Sequence, residues 1–404
     1  MNPHLDELND FTFTRLARLL ADVTAPVGLA PINLSIGEPK HPTPALIIDA
    51  LRSHTASLAQ YPPTKGPLAL RQAIAAWVAR RFSLPPLDAE TQVLPVLGSK
   101  EALYSFTQTI IDPTRSNPRV LVPNPFYMVY EGAALLCGAK PHFVDYDAST
   151  RQYRWEDVPE SVWQDTQLVV VCSPDNPTGT VTARERWRWL FDQSDRYGFV
   201  IVADECYSEI YFDEGAAPIG ALQVAAEAGR HDFRRLVAMG SLSKRSNAPG
   251  LRSGFVAGDA ALLAAFLKLR SFNGAAMSGT VAAASIAAWN DEAHVRENRA
   301  AYARKFRELT PLMARHLPVA MPDAAFYWWL PVPPSYAGDD ERFTRELFAA
   351  TGVTVTPGTY LSRPSQSGAT PGRGHVRVAL VAAFDECREA VDRMAAFLAR
   401  TPLS

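Results

Sequence analysis

The central part of the chain alternates between short, unbroken apolar runs and longer segments in which apolar residues recur at helical spacing. A short apolar run without polar alternation is typical of a strand that is buried on both faces. Strands of this kind separated by helices indicate a mostly parallel sheet with helices packed on both sides. The predicted strands are Arg119–Pro123, Pro141–Asp145, Gln167–Cys172, Phe199–Ala203, Arg235–Gly240 and Phe255–Ala257.

The pattern changes on either side of this region. Near the start, apolar residues between Phe11 and Val23 recur at helical spacing, and Thr43 is predicted to cap a helix that begins at Pro44. After Gly258, long helical stretches over residues 260–315 lead to a part rich in strands. Segment 363–374, full of Ser, Pro and Gly, is predicted to be an exposed loop. The C-terminal strands are predicted at Ala325–Leu330, Val353–Thr356 and Val376–Val381.

These patterns predict an α/β fold with two domains, for which 404 residues are enough. The large domain, with its mostly parallel sheet between helices, is predicted to span residues 41–288. A smaller α+β domain is predicted over residues 289–404. Residues 1–40 are predicted to form an N-terminal arm that also contributes to the small domain.

Composition narrows the classes of function. A hydrophobic content of 47%, a charged content of 20% and a formal net charge of -2 describe an ordinary globular protein, without the basic excess that nucleic acids or anionic membranes require. No apolar run is long enough to span a membrane, and the acidic first residues do not resemble a secretory signal. The four cysteines show neither metal-type nor disulfide-type spacing. We therefore expect a cytoplasmic protein without a bound metal.

The most informative polar segment runs from Ser241 to Gly254, between two predicted strands. It contains two serines, Lys244 and, eight positions later, Arg252. Hydroxyl groups and a guanidinium suit a phosphate dianion, and an amine beside a phosphate anchor can form a Schiff base with an aldehyde. Taken alone, this segment is better interpreted as a polar loop with a solvated Lys-Arg pair.

Three further predicted strands end in residues that suit a ligand. Asp204 ends one strand and Asn176 follows another, while Gly98, Ser99 and Lys100 open a helix whose backbone N–H groups could hold a phosphate. Ligands of open α/β sheets bind at the carboxyl ends of the strands, so these residues would converge on one crevice. Each is a weak signal by itself, because Asp204 could be a helix cap and Asn-Pro is a common turn.

Together these motifs resemble a known family. Ser173-Pro-Asp-Asn-Pro-Thr-Gly179, then Asp204-Glu-Cys-Tyr207, then Ser241-Leu-Ser-Lys244 with Pro249-Gly-Leu-Arg-Ser-Gly254, are similar in order and spacing to the class I and II aminotransferases. Those proteins are pyridoxal 5'-phosphate enzymes of fold type I, and the likeness extends from Gly37 to Arg377. The resemblance implies a transaminase that forms a Schiff base between Lys244 and its cofactor and works by a ping-pong mechanism on amino and keto acids.

The resemblance also implies roles around the cofactor ring. Lys244 would be the Schiff-base lysine and the general acid/base, and Asp204 would bind the pyridine nitrogen. Tyr207 and Asn176 would bind the phenolic oxygen, and Tyr127 would stack on the ring. The phosphate would be held by Gly98, Ser99, Lys100, Ser241, Ser243 and Arg252. Tyr61 would reach the phosphate of a neighbouring subunit, which implies a homodimer with shared sites.

On the substrate side, the resemblance implies that Arg377 binds the α-carboxylate with two hydrogen bonds and that Gly37 offers it a backbone N–H. Asn176 belongs to this substrate-binding set as well. Within the family, Ile32–Pro44 and Ser243–Asp259 resemble the succinyldiaminopimelate aminotransferases, which use glutamate as the donor for lysine biosynthesis. This chain has Phe272-Asn273 where that subfamily usually has Tyr-His. We assign Asn273 to the tail of a succinylated substrate.

Other functions are compatible with the same fold. One is transamination of aspartate, aromatic or other amino acids, and another is a carbon-sulfur β-lyase that uses the same lysine to eliminate at Cβ. A ligand domain of a transcription regulator is a third, although such proteins carry a DNA-binding module before the fold begins.

Overall fold

The computed structural model describes residues 1–366 and 368–400. The strands are, in chain order, β1 Ile32–Asn33, β2 Val93–Val96, β3 Arg119–Asn124, β4 Lys140–Asp147, β5 Gln152–Tyr153, β6 Thr166–Cys172, β7 Val200–Asp204, β8 Leu236–Ser241, β9 Gly254–Gly258, β10 Tyr327–Pro331, β11 Val353–Thr354, β12 Thr356–Pro357 and β13 His375–Ala379. The helices are α1 Thr12–Leu20, α2 Ala45–Ser53, α3 Leu68–Phe82, α4 Ser99–Ile110, α5 Val129–Leu136, α6 Glu160–Asp165, α7 Arg184–Tyr197, α8 Ala221–Glu227, α9 Leu242–Arg245, α10 Ala260–Asn273, α11 Gly279–Asn290, α12 Ala293–Met313, α13 Asp340–Thr351 and α14 Phe384–Leu398.

An eight-stranded sheet in the order β2-β9-β8-β7-β6-β3-β4-β5 forms the centre of the molecule. The five strands from β8 to β4 are parallel, whereas β9 is antiparallel to both neighbours and β5 is antiparallel to β4. Alternate residues of one strand enter opposite cores: Val169 and Val171 pack with α3, α7 and α11, while Leu168 and Val170 pack with α4, α5 and α10. Burial on both faces explains the unbroken apolar runs of the sequence, and the predicted fold class is confirmed.

A third core lies outside this sheet. It joins α12, α13 and α14 to a three-stranded antiparallel sheet in the order β10-β13-β12, and it includes Ile32 and Leu34 from the N-terminal part. A separate parallel pair, β1 with β11, brings the N-terminal part against this core. The domain boundaries proposed above, at residues 40/41 and 288/289, stay predictions. None of the helices formed by residues 1–366 and 368–400 is long and apolar enough to cross a membrane.

One local prediction was wrong. Thr43 does not cap α2, because its hydroxyl donates to the carbonyl of Asn247 at 2.7 Å and the helix begins after Pro44. The described residues of segment 363–374 form a mainly exposed or half-exposed loop, as predicted, but Gly372 is buried and the Arg363 guanidinium forms an ion pair with the largely buried Glu131 at 2.7 Å. The two charges compensate each other, which allows both groups to lie near the interior.

Candidate functional site

The site lies where parallel strands end. Register places Cys172 of β6 beside Asp204 of β7, and Asp204 beside Met239 of β8. Ser241 ends β8, and α4 begins directly after the loop that follows β2. The strand ends named in the sequence therefore do meet at one edge of the sheet, as open α/β sheets require.

These ends surround a cavity of about 430 Å³. It is also lined by Phe11, Thr12 and Phe13 from the N-terminal part and by Leu361. Twelve of the predicted site residues line it: Gly37, Ser99, Lys100, Tyr127, Asn176, Asp204, Tyr207, Ser241, Ser243, Lys244, Arg252 and Arg377.

One end of the cavity presents hydroxyl and guanidinium donors. Ser241 caps the one-turn helix α9 by accepting from the backbone N–H of Ser243 at 3.1 Å, so Lys244 lies on a helix and not in a loop. Arg252 adopts φ 52°, and its guanidinium donates to the carbonyls of Pro249 and Leu97 at 3.0 and 3.2 Å. Gly98, at φ 81°, lies so close to this guanidinium that any side chain there would displace it.

Asp204 lies deep inside. Its carboxylate accepts from the Tyr130 hydroxyl at 2.6 Å and from the backbone N–H of Cys206 at 3.3 Å. Burial raises the pKa of Asp204, and the two hydrogen bonds oppose that rise. Within the described part of the chain Asp204 has no ion-pair partner, so the carboxylate is suited to a cationic group of a ligand.

Lys244 extends into the cavity from α9, and its amine donates to the carbonyl of Gly37. Burial is the largest of the effects that bring the pKa of this amine down to about 8; the charges of Arg377 and Arg252 also lower the pKa, while Cys206 and Glu38 oppose them. The lysine therefore holds an appreciable neutral fraction near neutral pH, which is the form that attacks a carbonyl.

Arg377 faces the cavity from β13 of the smaller sheet. Its guanidinium donates to the side-chain oxygen of Asn176 at 2.9 Å and to the carbonyl of Ser35 at 2.7 Å, and it lies 4.7 Å from the ring centre of Tyr327. Its Nε is buried without a hydrogen-bond partner in the described structure. That N–H group is therefore available to an acceptor brought by a ligand.

Two tyrosines of the site were not found from the sequence. Tyr327 on β10 exchanges a hydrogen bond with the Tyr207 hydroxyl at 2.9 Å, and its own hydroxyl fills the space beside Gly37 that a side chain would need. Tyr130 contacts Asp204, as described above. Tyr130 stands three residues after Tyr127, and the two rings meet edge to face with their centres 5.8 Å apart. This closeness in sequence to a predicted site residue was the available signal, whereas nothing local marks Tyr327.

Three predicted residues do not line this cavity: Gly98 lies behind the Arg252 guanidinium, and the other two lie on the surface. Tyr61 is fully exposed. Asn273, at the end of α10, is exposed, and its side chain accepts from the backbone N–H of Ala275 at 3.0 Å. Their assigned roles stay predictions, and both would have to serve the cavity of another subunit.

Comparisons with known proteins agree with this geometry. Residues 30–394 match the family model described as aminotransferase class I and II. The chain is 32% identical to an LL-diaminopimelate aminotransferase of Nitratidesulfovibrio vulgaris over 397 residues, which covers 97% of each protein.

Solved structures show the same likeness. An aminotransferase from Neisseria meningitidis is 48% identical with a TM-score of 0.94, and the match covers 98% of this chain and 100% of that one. Aminotransferase AspB from Helicobacter pylori is 32% identical with a TM-score of 0.89, over 98% and 100% of the two chains. This chain therefore belongs to the class I and II aminotransferases and is a pyridoxal-phosphate-dependent enzyme.

Proposed function

We propose that the enzyme transaminates an N-succinylated diaminopimelate, with glutamate and 2-oxoglutarate as the second substrate pair, through the cavity around Lys244. The main support for transamination in this cavity is the position of the Lys244 amine. This amine has a lowered pKa, and it lines the same cavity as the buried Arg377 guanidinium and the buried Asp204 carboxylate, which has no ion-pair partner among the described residues.

The residues present suit the cofactor. The hydroxyls of Ser241 and Ser243, the guanidinium of Arg252 and the start of α4 would hold its phosphate, and Asp204 would pair with its ring nitrogen. When bound, pyridoxal phosphate supplies an electron sink for the bond that breaks at the substrate α-carbon. Asp204 has no cationic partner in the described chain, and a protonated ring nitrogen would supply one.

The chain's own residues would carry the remaining tasks. Lys244 would bind the cofactor covalently and then move a proton to or from the α-carbon as general acid/base. Arg377 would bind the α-carboxylate of every substrate, with the Gly37 backbone and Asn176 beside it. Tyr207 and Asn176 would hold the ring's phenolic oxygen, and Tyr127 would cover one face of the ring.

The charge of the cavity favours a succinylated substrate. Among the described residues that line it, Lys100, Lys244, Arg252 and Arg377 are basic and Asp204 is the one acid. Free diaminopimelate carries a second ammonium group, and the one acid of the described lining, Asp204, is already assigned to the cofactor's ring nitrogen, so no carboxylate is left to pair with that ammonium. Succinylation removes that ammonium and adds a carboxylate, so electrostatic complementarity favours the acylated form.

Unacylated LL-diaminopimelate is the second candidate, because several relatives at about this level of identity carry that name. The test supplies N-succinyl-LL-diaminopimelate, LL-diaminopimelate, aspartate and phenylalanine separately as amino donors to 2-oxoglutarate, and follows glutamate formation. We expect the highest kcat/KM with the succinylated donor. A higher value with LL-diaminopimelate would select the second candidate, and preference for aspartate or phenylalanine would exclude both.

Two further proposals belong with this function. The exposed Tyr61 and Asn273 would complete the site of a second copy, so we propose a homodimer, which sedimentation of the purified enzyme would test. All four cysteines are free, which suits a reducing compartment, and we propose that the enzyme acts in the cytoplasm.

The carbon-sulfur β-lyase reaction is tested separately. Formation of pyruvate from cystathionine would indicate that reaction in place of transamination.

A further inference from the structure

A buried lysine outside the cavity begins a chain of hydrogen bonds that ends at Lys244. Lys305 on α12 is 1% exposed, and its amine donates to the carbonyl of Leu380 at 3.1 Å and lies 2.8 Å from Nε2 of His41. The described residues include no ion-pair partner for it. Burial lowers the pKa of Lys305 to about 8, so the group is still mainly a cation at neutral pH.

The direction of the chain follows from the chemistry of its first member. An ammonium group can only donate, so His41 Nε2 must accept and His41 Nδ1 must carry the ring proton. That proton is directed at the side-chain oxygen of Asn298, 3.0 Å away. The amide nitrogen of Asn298 then donates to the backbone carbonyls of Lys244 and Arg245 at 3.2 and 3.4 Å.

This chain connects three segments that face the cavity. Leu380 directly follows β13, which carries Arg377. His41 belongs to the loop that contains Gly37, whose carbonyl accepts from the Lys244 amine. Asn298 holds the backbone of α9, which carries Lys244 itself. The three segments come from distant parts of the sequence, and the described contacts of Lys305 and His41 join them behind the cavity.

We infer that Lys305, His41 and Asn298 are positioning residues that hold the Gly37 loop and the end of the Arg377 strand in register with Lys244. The inference rests on the proposed role of Lys244. A role in stability alone would not require a cation here, because burying a charge without an ion-pair partner itself costs free energy. A cation that donates in two directions can join two backbone segments, which an apolar side chain cannot do.

The test compares Lys305→Met with Lys305→Arg and with the surface control Lys268→Met on α10. The enzyme is loaded with pyridoxal phosphate, and the pKa of its visible absorption band, kcat, KM and the melting temperature are measured. For Lys305→Met we expect the band pKa to move by about 0.5 units or more and kcat to fall on the order of 10-fold. A change of this size is typical when a hydrogen bond that orients a functional group is lost. The melting temperature should also fall, because the Leu380 carbonyl and His41 Nε2 lose their buried donor, whereas loss of stability alone would not move the band pKa. Lys305→Arg should restore part of kcat.

Asn298→Asp tests the last hydrogen bond of the chain by itself. It also provides a second test in case Lys305→Met does not fold. The carboxylate still accepts from His41 and Asn247 but cannot donate to the Lys244 carbonyl, so the band pKa should again move. Band pKa and kcat values equal to those of Lys268→Met in both variants would overturn the inference alone. A wild-type protein that shows no visible band with pyridoxal phosphate would overturn the proposed function together with it.

Discussion

The two ends of the candidate site differ in how much of them one chain supplies. Around Lys244 and Asp204, the carboxylate is buried, the lysine is half-buried, and side chains from β7, β8 and α9 converge on one cavity. Tyr61 and Asn273, which we assign to the outer end, are exposed, as is Phe272, and none of the three lines that cavity. The residues proposed for the chemistry are thus brought together inside a single chain, whereas Asn273, proposed to select the substrate tail, would act only beside another subunit.

The largest effect should come from the centre of the buried end. Lys244→Ala removes the amine that would bind the cofactor covalently and transfer the proton, so transamination should fall by at least ~10²–10⁴-fold. The variant should still bind pyridoxal phosphate through the Ser241 and Arg252 groups, as equilibrium dialysis would show. Lys268→Ala, an exposed lysine, is the matched control and should keep full activity.

Asp204→Asn should have the next largest effect. The amide keeps the shape and the hydrogen bond from Tyr130 but loses the charge that would keep the ring nitrogen protonated, so kcat should fall about 100-fold or more. Tyr130→Phe keeps the charge and removes only the hydroxyl, and should cost less than about tenfold. If Asp204→Asn lowered kcat no more than Tyr130→Phe does, the charge of Asp204 would contribute little to kcat.

Arg377→Lys tests the side of the buried end that faces the substrate. Lysine keeps the charge but loses the planar pair of donors, so KM should rise about 10- to 100-fold, the size of a charge-assisted hydrogen bond. The rise should be similar for glutamate and for the succinylated substrate, because both present the same α-carboxylate. A rise confined to one of them would make Arg377 a selector of side chains.

The smallest effect should come from the exposed end. Asn273→Ala removes a neutral hydrogen-bonding group, so KM for the succinylated substrate should rise by only roughly 2- to 10-fold. KM for glutamate should stay close to the wild-type value, and the exposed Asn290→Ala should change neither. Equal rises in KM for both substrates would show that Asn273 does not select the substrate tail.

The sequence predicted the parts of the molecule that local rules control. Apolar runs such as Gln167–Cys172 became central strands because burial on both faces leaves no room for polar alternation. Residues placed just after those strands, such as Asp204, could be assigned to one crevice because parallel strands share an edge. The resemblance of the Lys244 motif to a family then supplied their roles, which composition and periodicity do not contain.

What could not be predicted depends on contacts between distant segments. Tyr327 reaches Tyr207 only because β10 of the small sheet lies over the cavity, and Lys305 reaches His41 across 264 positions of sequence. Thr43 was assigned to a helix cap, but a carbonyl from residue 247 competes for its hydroxyl. In each case the partner is set by tertiary packing, which no window of sequence around the residue reveals.

The hydrogen bonds of Arg377 have a consequence for how tightly substrates bind. Before any carboxylate arrives, the guanidinium already has two acceptors, the amide oxygen of Asn176 and the carbonyl of Ser35. A guanidinium has five N–H groups, and these two acceptors use only two of them, so a carboxylate could bind through the remaining donors, Nε among them, without displacing either oxygen. The same two oxygens would hold the guanidinium in one orientation between the departure of a product and the arrival of the next substrate. If Arg377 has its proposed role, the binding group for the α-carboxylate is thus oriented before each substrate arrives, and little ordering of this side chain opposes binding.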